Sequence, residues 1–153
     1  MTEVEFHFNV GDKLAYSCRL LRKARAGGAK IMVTAEPHLL AQLDPMLWTF
    51  SSTEFLPHCR SDADPATVAV TPILLAASPS DPAFENSLHG VLVNLGQDVP
   101  EGFERFERFI ELVGSAEDDR LSARLRWKHY KDRGYALKKF DLSIDQSSRA
   151  EHA

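Results

Sequence analysis

Arg120, Arg124 and Lys128 recur every four residues, so on a helix they stand one per turn along a single face. Trp127 lies three residues past Arg124 and Lys131 seven, which extends that face and sets an indole beside it. Tyr130 is next to the same stripe, and Gly134-Tyr135 follows at its end. Cations in a row offer charge-assisted hydrogen bonds to carboxylates or phosphates. The ring bodies beside them offer apolar burial or base stacking. Three uses fit these residue types: a site for a peptide that is both acidic and hydrophobic, a track for single-stranded nucleic acid, and a solvated helix face.

Other chemistry has fewer candidates. His58-Cys59 with Asp62 and Asp64 has the right atoms for a metal, but no second His/Cys pair stands at ligand spacing, so an ordinary loop with an incidental thiol is expected and no metal. The segment Asn9-Val10-Gly11-Asp12-Lys13-Leu14 after the first strand is neither GxxxxGK[ST] nor GxGxxG. Without those glycines the turn has no phosphate cradle, which counts against a small nucleotide-binding α/β enzyme. Serine elbows, HExxH and CxxC are absent. The expectation is a non-catalytic protein with no cofactor.

A second concentration of unusual residues is apolar. Met46-Leu47-Trp48-Thr49-Phe50 and Phe55-Leu56-Pro57 crowd large side chains around a loop. Loops run over the surface, so such a cluster reads either as an exposed interface or as a satellite core packed beneath the loop.

The elements that must position these groups follow from periodicity. Val4 to Phe8 alternates as a half-buried strand. Asp12 then caps a helix over Lys13 to Ala26, whose apolar positions include Leu14, Cys18 and Leu21. Lys30 to Thr34 is a buried strand, which completes a β-helix-β unit within about 30 residues. Glu36 to Trp48 reads as a helix with Pro37 in its first turn and Pro45 bending or breaking its last. Val68 to Thr71 and Gly90 to Leu95 read as strands. Pro72 to Glu85 reads as an irregular connection in which Ile73-Leu74-Leu75 has the composition to pair locally. Phe106, Phe109, Ile110 and Val113 predict a helix over Phe103 to Val113, with Glu104, Glu107, Arg108 and Glu111 outside. A last helix starts at Asp118-Asp119, carries Leu121, Leu125 and His129 at spacings of four, and ends at Gly134. Ala136 to Leu142 reads as a terminal edge strand. Strands alternating with helices give a single α/β domain over residues 1–142, with a largely parallel sheet. Residues 143–153 read as a polar, disordered tail.

Composition agrees. At 153 residues, with 44% hydrophobic and 26% charged, the chain has the make-up of one globular domain with a real core. Two cysteines are too few for a disulfide scaffold, no run approaches the roughly 20 apolar residues of a membrane span, and the N-terminus has no signal-peptide pattern. A cytoplasmic protein is expected. The net charge of −4 conceals an asymmetry: Arg120 to Lys139 holds eight basic residues against Asp132 alone, leaving about −11 for the rest. An acidic chain with one basic element suits a local anionic partner better than a long polyanion.

Leu43-Asp44-Pro45-Met46-Leu47-Trp48 followed by Phe55-Leu56-Pro57-His58, and later the run Leu121 to Tyr135 containing Arg124, Trp127, Lys128 and the Gly-aromatic end, stand in this order along the chain. In this the chain resembles the chi subunit family of bacterial DNA polymerase III, over roughly residues 4 to 142. The resemblance implies a three-layer, Rossmann-like, mononucleotide-binding-like fold without a nucleotide site. It implies an accessory subunit of the holoenzyme and its clamp loader in DNA replication, itself non-catalytic. Two partners are implied: the psi subunit, on a surface of Trp48, Phe55, Leu56 and Pro57, and the acidic and hydrophobic C-terminal tail of single-stranded DNA-binding protein. For the tail, Arg120, Arg124 and Lys128 would meet carboxylates, while Val113, Trp127, Gly134 and Tyr135 would hold the terminal hydrophobic residue. Contact with nucleic acid would be mainly indirect, and none is implied with membrane.

Overall fold

A computed structural model describes residues 1–51 and 55–143. Seven strands form one sheet in the order β3-β4-β2-β5-β6-β1-β7, and every neighbouring pair is parallel. They are β1 (Glu3–Val10), β2 (Ile31–Thr34), β3 (His58–Arg60), β4 (Ile73–Ala76), β5 (Val91–Asn94), β6 (Arg108–Gly114) and β7 (Ala136–Asp141). The helices are α1 (Lys13–Ala26), α2 (Pro37–Thr49), α3 (Pro65–Val70) and α4 (Glu117–Asp132).

Two cores lie on opposite faces of the sheet. Cys18 and Leu21 of α1 and Leu40, Leu43 and Leu47 of α2 pack on Ile31, Val33, Ile110 and Leu112. On the other face Val68 of α3 and Ala123 and Tyr130 of α4 pack on Val4, Phe6, Met32 and Phe109, together with Phe84 and Phe103 from short 3₁₀ turns. This is the expected three-layer, Rossmann-like α/β arrangement. The first β-helix-β unit matches its predicted bounds closely, and Asp12 caps α1 by accepting from the Ala15 amide at 3.1 Å. β7 is an edge strand, as its composition suggests.

Two predicted elements are corrected. The helix expected over Phe103 to Val113 is a 3₁₀ turn, Phe103–Arg105, followed by β6. β6 lies between β5 and β1 and is buried on both faces: Phe109 and Val113 point to one core, Ile110 and Leu112 to the other. An apolar run on a doubly covered strand also satisfies helical spacing over two turns, so periodicity does not separate the two. The strand expected over Val68 to Thr71 is the short helix α3, started by Pro65 and by Asp64, whose carboxylate accepts from the Thr67 amide at 2.9 Å. The neighbouring strand is β4, whose Ile73, Leu74 and Leu75 pair with β2 and β3 rather than locally. His58–Arg60, part of what the sequence reads as an ordinary loop, is the opposite edge strand. Pro45 stays inside α2 without ending it. The tail predicted from residue 143 lies outside the described residues except for Ser143.

α1 and α4 leave the adjacent strands β1 and β6 toward opposite faces, which opens a topological switch point at their carboxyl ends. Asp119 and Lys13 meet there. Asp119, buried in the first turn of α4, accepts from the Gly114 amide at 2.6 Å and pairs with Lys13 of α1 at 2.6 Å. Lys13 also donates to the Leu95 carbonyl at 3.1 Å. A carboxylate and an ammonium of the chain itself thus pair between α1, α4 and the end of β6.

Candidate functional site

α4 rides on the sheet through buried polar bonds as well as the apolar packing of Ala123 and Tyr130. Its inward residues are Asp119, Ala123, Arg126 and Tyr130. Glu111 of β6, fully buried, accepts from Arg126 Nε at 2.9 Å, from the Tyr130 hydroxyl at 2.6 Å and from Asn94 at 2.7 Å. Arg126 also donates to the Gln97 carbonyl and the Ser122 hydroxyl, both at 2.7 Å. Burial pushes the Glu111 carboxyl above its ordinary range, opposed by the Arg126 charge and the hydrogen bonds. Burial also raises the Tyr130 hydroxyl, with the Glu111 charge and hydrogen bond adding to the effect. This network sets the rotation of α4 about its axis. Leu121 and Leu125, at spacings of four, consequently point to solvent at 50% and 73% exposure.

With that rotation Arg120 and Arg124 stand at the rim of a groove between α4 and the β1/β7 side of the sheet. The groove has a volume of about 330 Å³ and is lined by Phe6, Phe8, Val113, Arg120, Ala123, Arg124, Trp127 and Lys139. Trp127 is half-buried and meets Phe6 edge-on at 5.1 Å between centroids. Three of the lining residues are cations, none is acidic, and the floor is apolar. The arrangement can hold an anionic group joined to a hydrophobic one.

Of the seven residues expected here, Arg120, Arg124, Trp127 and Val113 come together in the groove. Lys128 is exposed on α4 outside its lining. Gly134 ends the helix with φ +82°, a conformation that favours glycine, and Tyr135 packs on Phe103 at 5.2 Å behind the groove. Sequence reading missed Phe6, Phe8, Ala123 and Lys139. The signal for three of them was the strand alternation itself, since β1 pairs with β7 in the register Phe6↔Lys139.

The apolar cluster divides between surface and core. Trp48 is 48% exposed, Phe55 67%, and their rings lie 5.1 Å apart. Pro57 is partly exposed. Leu56 is buried in the core with Leu43 and Leu47, so it supports the surface from beneath and does not form part of it. His58, which sequence reading weighed as a metal ligand and met as the end of the Phe55-Leu56-Pro57-His58 motif, is the post under Trp48: the rings lie 4.1 Å apart. Its Nδ1 is 2.7 Å from the Leu56 carbonyl oxygen and its Nε2 2.6 Å from Asp44 Oδ1. Asp44 and His58 thereby tie α2 to β3 and hold the indole outward. Cys59 is a half-buried free thiol raised by burial. Among the described residues no group of His, Cys, Asp and Glu is arranged to hold a metal, and no helix is long and apolar enough to cross a membrane.

Comparison with known proteins gives the family of the chain. A family model described as DNA polymerase III chi subunit, HolC, matches residues 1–138. The DNA polymerase III subunit chi of Pseudomonas aeruginosa is 30% identical over 142 residues, covering 90% of this chain and 94% of that protein. The subunit of the same name from Haemophilus influenzae is 28% identical over 122 residues, covering 79% and 81%. The family-model match over most of the chain and these relatives show that this chain belongs to the DNA polymerase III chi subunit family.

Proposed function

We propose that this chain is a non-catalytic accessory subunit of the bacterial replicase, working in the cytoplasm as a tether between the polymerase assembly and protein-coated single-stranded DNA. The α4 groove takes the acidic and hydrophobic C-terminal tail of single-stranded DNA-binding protein. The Trp48-Phe55-Pro57 surface takes the psi subunit, which joins it to the clamp loader. One observation carries the tail reading: Arg120 and Arg124 flank an apolar floor of Val113 and Trp127, with no acidic residue among the lining. Cations clustered without a counter-charge repel one another and are relieved by a bound carboxylate, while a terminal hydrophobic side chain covers the floor. A long nucleic acid would instead run from this patch over a chain whose remainder carries about −11, which opposes it.

Burial of one hydrophobic anchor and a few charge-assisted bonds leaves an affinity in the micromolar range, about −8 kcal/mol. The test is a fluorescence-anisotropy titration of the labelled tail peptide against wild type and Arg124→Ala. Micromolar binding that the substitution weakens by about tenfold, roughly 1.4 kcal/mol, supports the tether. No binding by folded wild type removes it. Tight binding of naked single-stranded DNA with a steep salt slope favours direct contact with the nucleic acid instead.

A further inference from the structure

Lys139 belongs to β7, outside the helix on which the basic stripe lies. Its register with β1 puts it on the same sheet face as Phe6. From there its ammonium reaches back over the Trp127 ring, 5.5 Å from the centroid, as the third cation of the groove. No carboxylate lines the groove, so nothing in that lining balances it. The two arginines occupy the α4 wall and Lys139 the β7 wall, with Phe6, Phe8, Val113 and Ala123 between them. An extended acidic peptide seated on that floor would have a cation on each side, a geometry a single helical stripe cannot provide. The indole face also limits the conformations open to the lysine before a partner arrives, which reduces the ordering cost of a salt bridge.

We infer that Lys139 is a specificity-determining residue of the groove, binding a carboxylate of the acidic peptide from the β7 side, opposite Arg120 and Arg124. This rests on the groove being the peptide site. It makes recognition two-sided: the helix and the edge strand each read acidic positions of the same peptide.

The test uses the full chain and the labelled tail peptide of single-stranded DNA-binding protein, with Lys139→Met, Lys139→Arg and Lys139→Glu compared with wild type. Lys139→Met keeps the aliphatic stem and removes the charge, and thermal unfolding checks that all variants are folded. Expected are about fivefold weaker binding for Lys139→Met, a larger loss for Lys139→Glu, a shallower salt dependence for both, and near wild-type affinity for Lys139→Arg. A peptide series with each acidic residue replaced in turn by its amide then locates the partner: the effect of Lys139→Met disappears on one member and persists on the others. Wild-type binding that Lys139→Met leaves unchanged in affinity and salt slope overturns the inference and leaves the peptide site standing. Equal weakening by Lys139→Met and Lys139→Arg also overturns it, since charge is then not what matters. Absence of peptide binding by folded wild type removes the site and the inference together.

Discussion

Arg126 donates to Glu111 at 2.9 Å across the joint between α4 and the sheet, with 2% and 0% of the two side chains exposed. A bond of this kind contributes little net stability compared with an apolar pair, but breaking it on one side leaves a buried charge. Its consequence is orientation: because Arg126 points inward, Arg120, Arg124 and Trp127 face the groove.

Arg126→Met therefore costs about 3–5 kcal/mol, lowering Tm by about 10 °C, and the double variant Glu111→Leu/Arg126→Met loses less than Arg126→Met alone. Thermal denaturation of the three proteins checks this. Additive losses would show that the pair is not energetically coupled.

Acid stability carries a signature of the opposite sheet face. Glu5 accepts from Arg108 through two bonds of 2.9 Å and lies 3.3 Å from His7 Nε2. The His7 hydrogen bond and the Arg108 guanidinium hold its carboxyl at about 2 against an ordinary 4.5, burial opposing them. A folded value below the unfolded one means the stabilisation is present above pH 4.5 and is lost as pH falls toward 2. Because Arg108 is 46% exposed, the contribution is about 1–2 kcal/mol. Urea denaturation between pH 7 and 2 should show a smaller decline for Glu5→Gln than for wild type; parallel curves would refute the assignment.

At the switch point a side chain on Gly114 would be crowded. A Cβ there would lie 3.1 Å from Asp119 Oδ2, an atom already held by the Gly114 amide and by Lys13. Gly114→Ala is expected to destabilise by about 1–2 kcal/mol, and Asp119→Ala by a similar amount. Combined, the two should cost clearly less than their sum, because the second change relieves the clash made by the first.

The Trp48-Phe55 surface predicts a separation of binding from stability. Both rings are about half or more exposed, so Trp48→Ala/Phe55→Ala should change unfolding free energy by no more than about 1 kcal/mol. Affinity for the psi subunit should fall by tenfold or more, as for exposed aromatic anchors generally. Size-exclusion co-elution and calorimetry with purified psi would decide it, and retained affinity would move that interface elsewhere.

Much of this was legible in one dimension. Spacing by four placed Arg120 and Arg124 on one helix face, and Asp12 and Gly134 marked helix ends. These properties are local, decided by backbone geometry within a turn or two. What the sequence could not decide depends on partners distant along the chain. Arg126 is indistinguishable by type and spacing from the cations around it, and only Glu111 and Gln97, 15 and 29 residues away, turn it inward. The β6 segment has helical apolar spacing, and only cover on both faces makes it a strand. Leu56 belongs with Phe55 in sequence, yet the alternation leading into β3 buries one and exposes the other. Lys139 enters the groove because β7 pairs in register with a strand more than 130 residues earlier. Short-range periodicity determines which residues share a face of an element; tertiary packing decides which face is the inside.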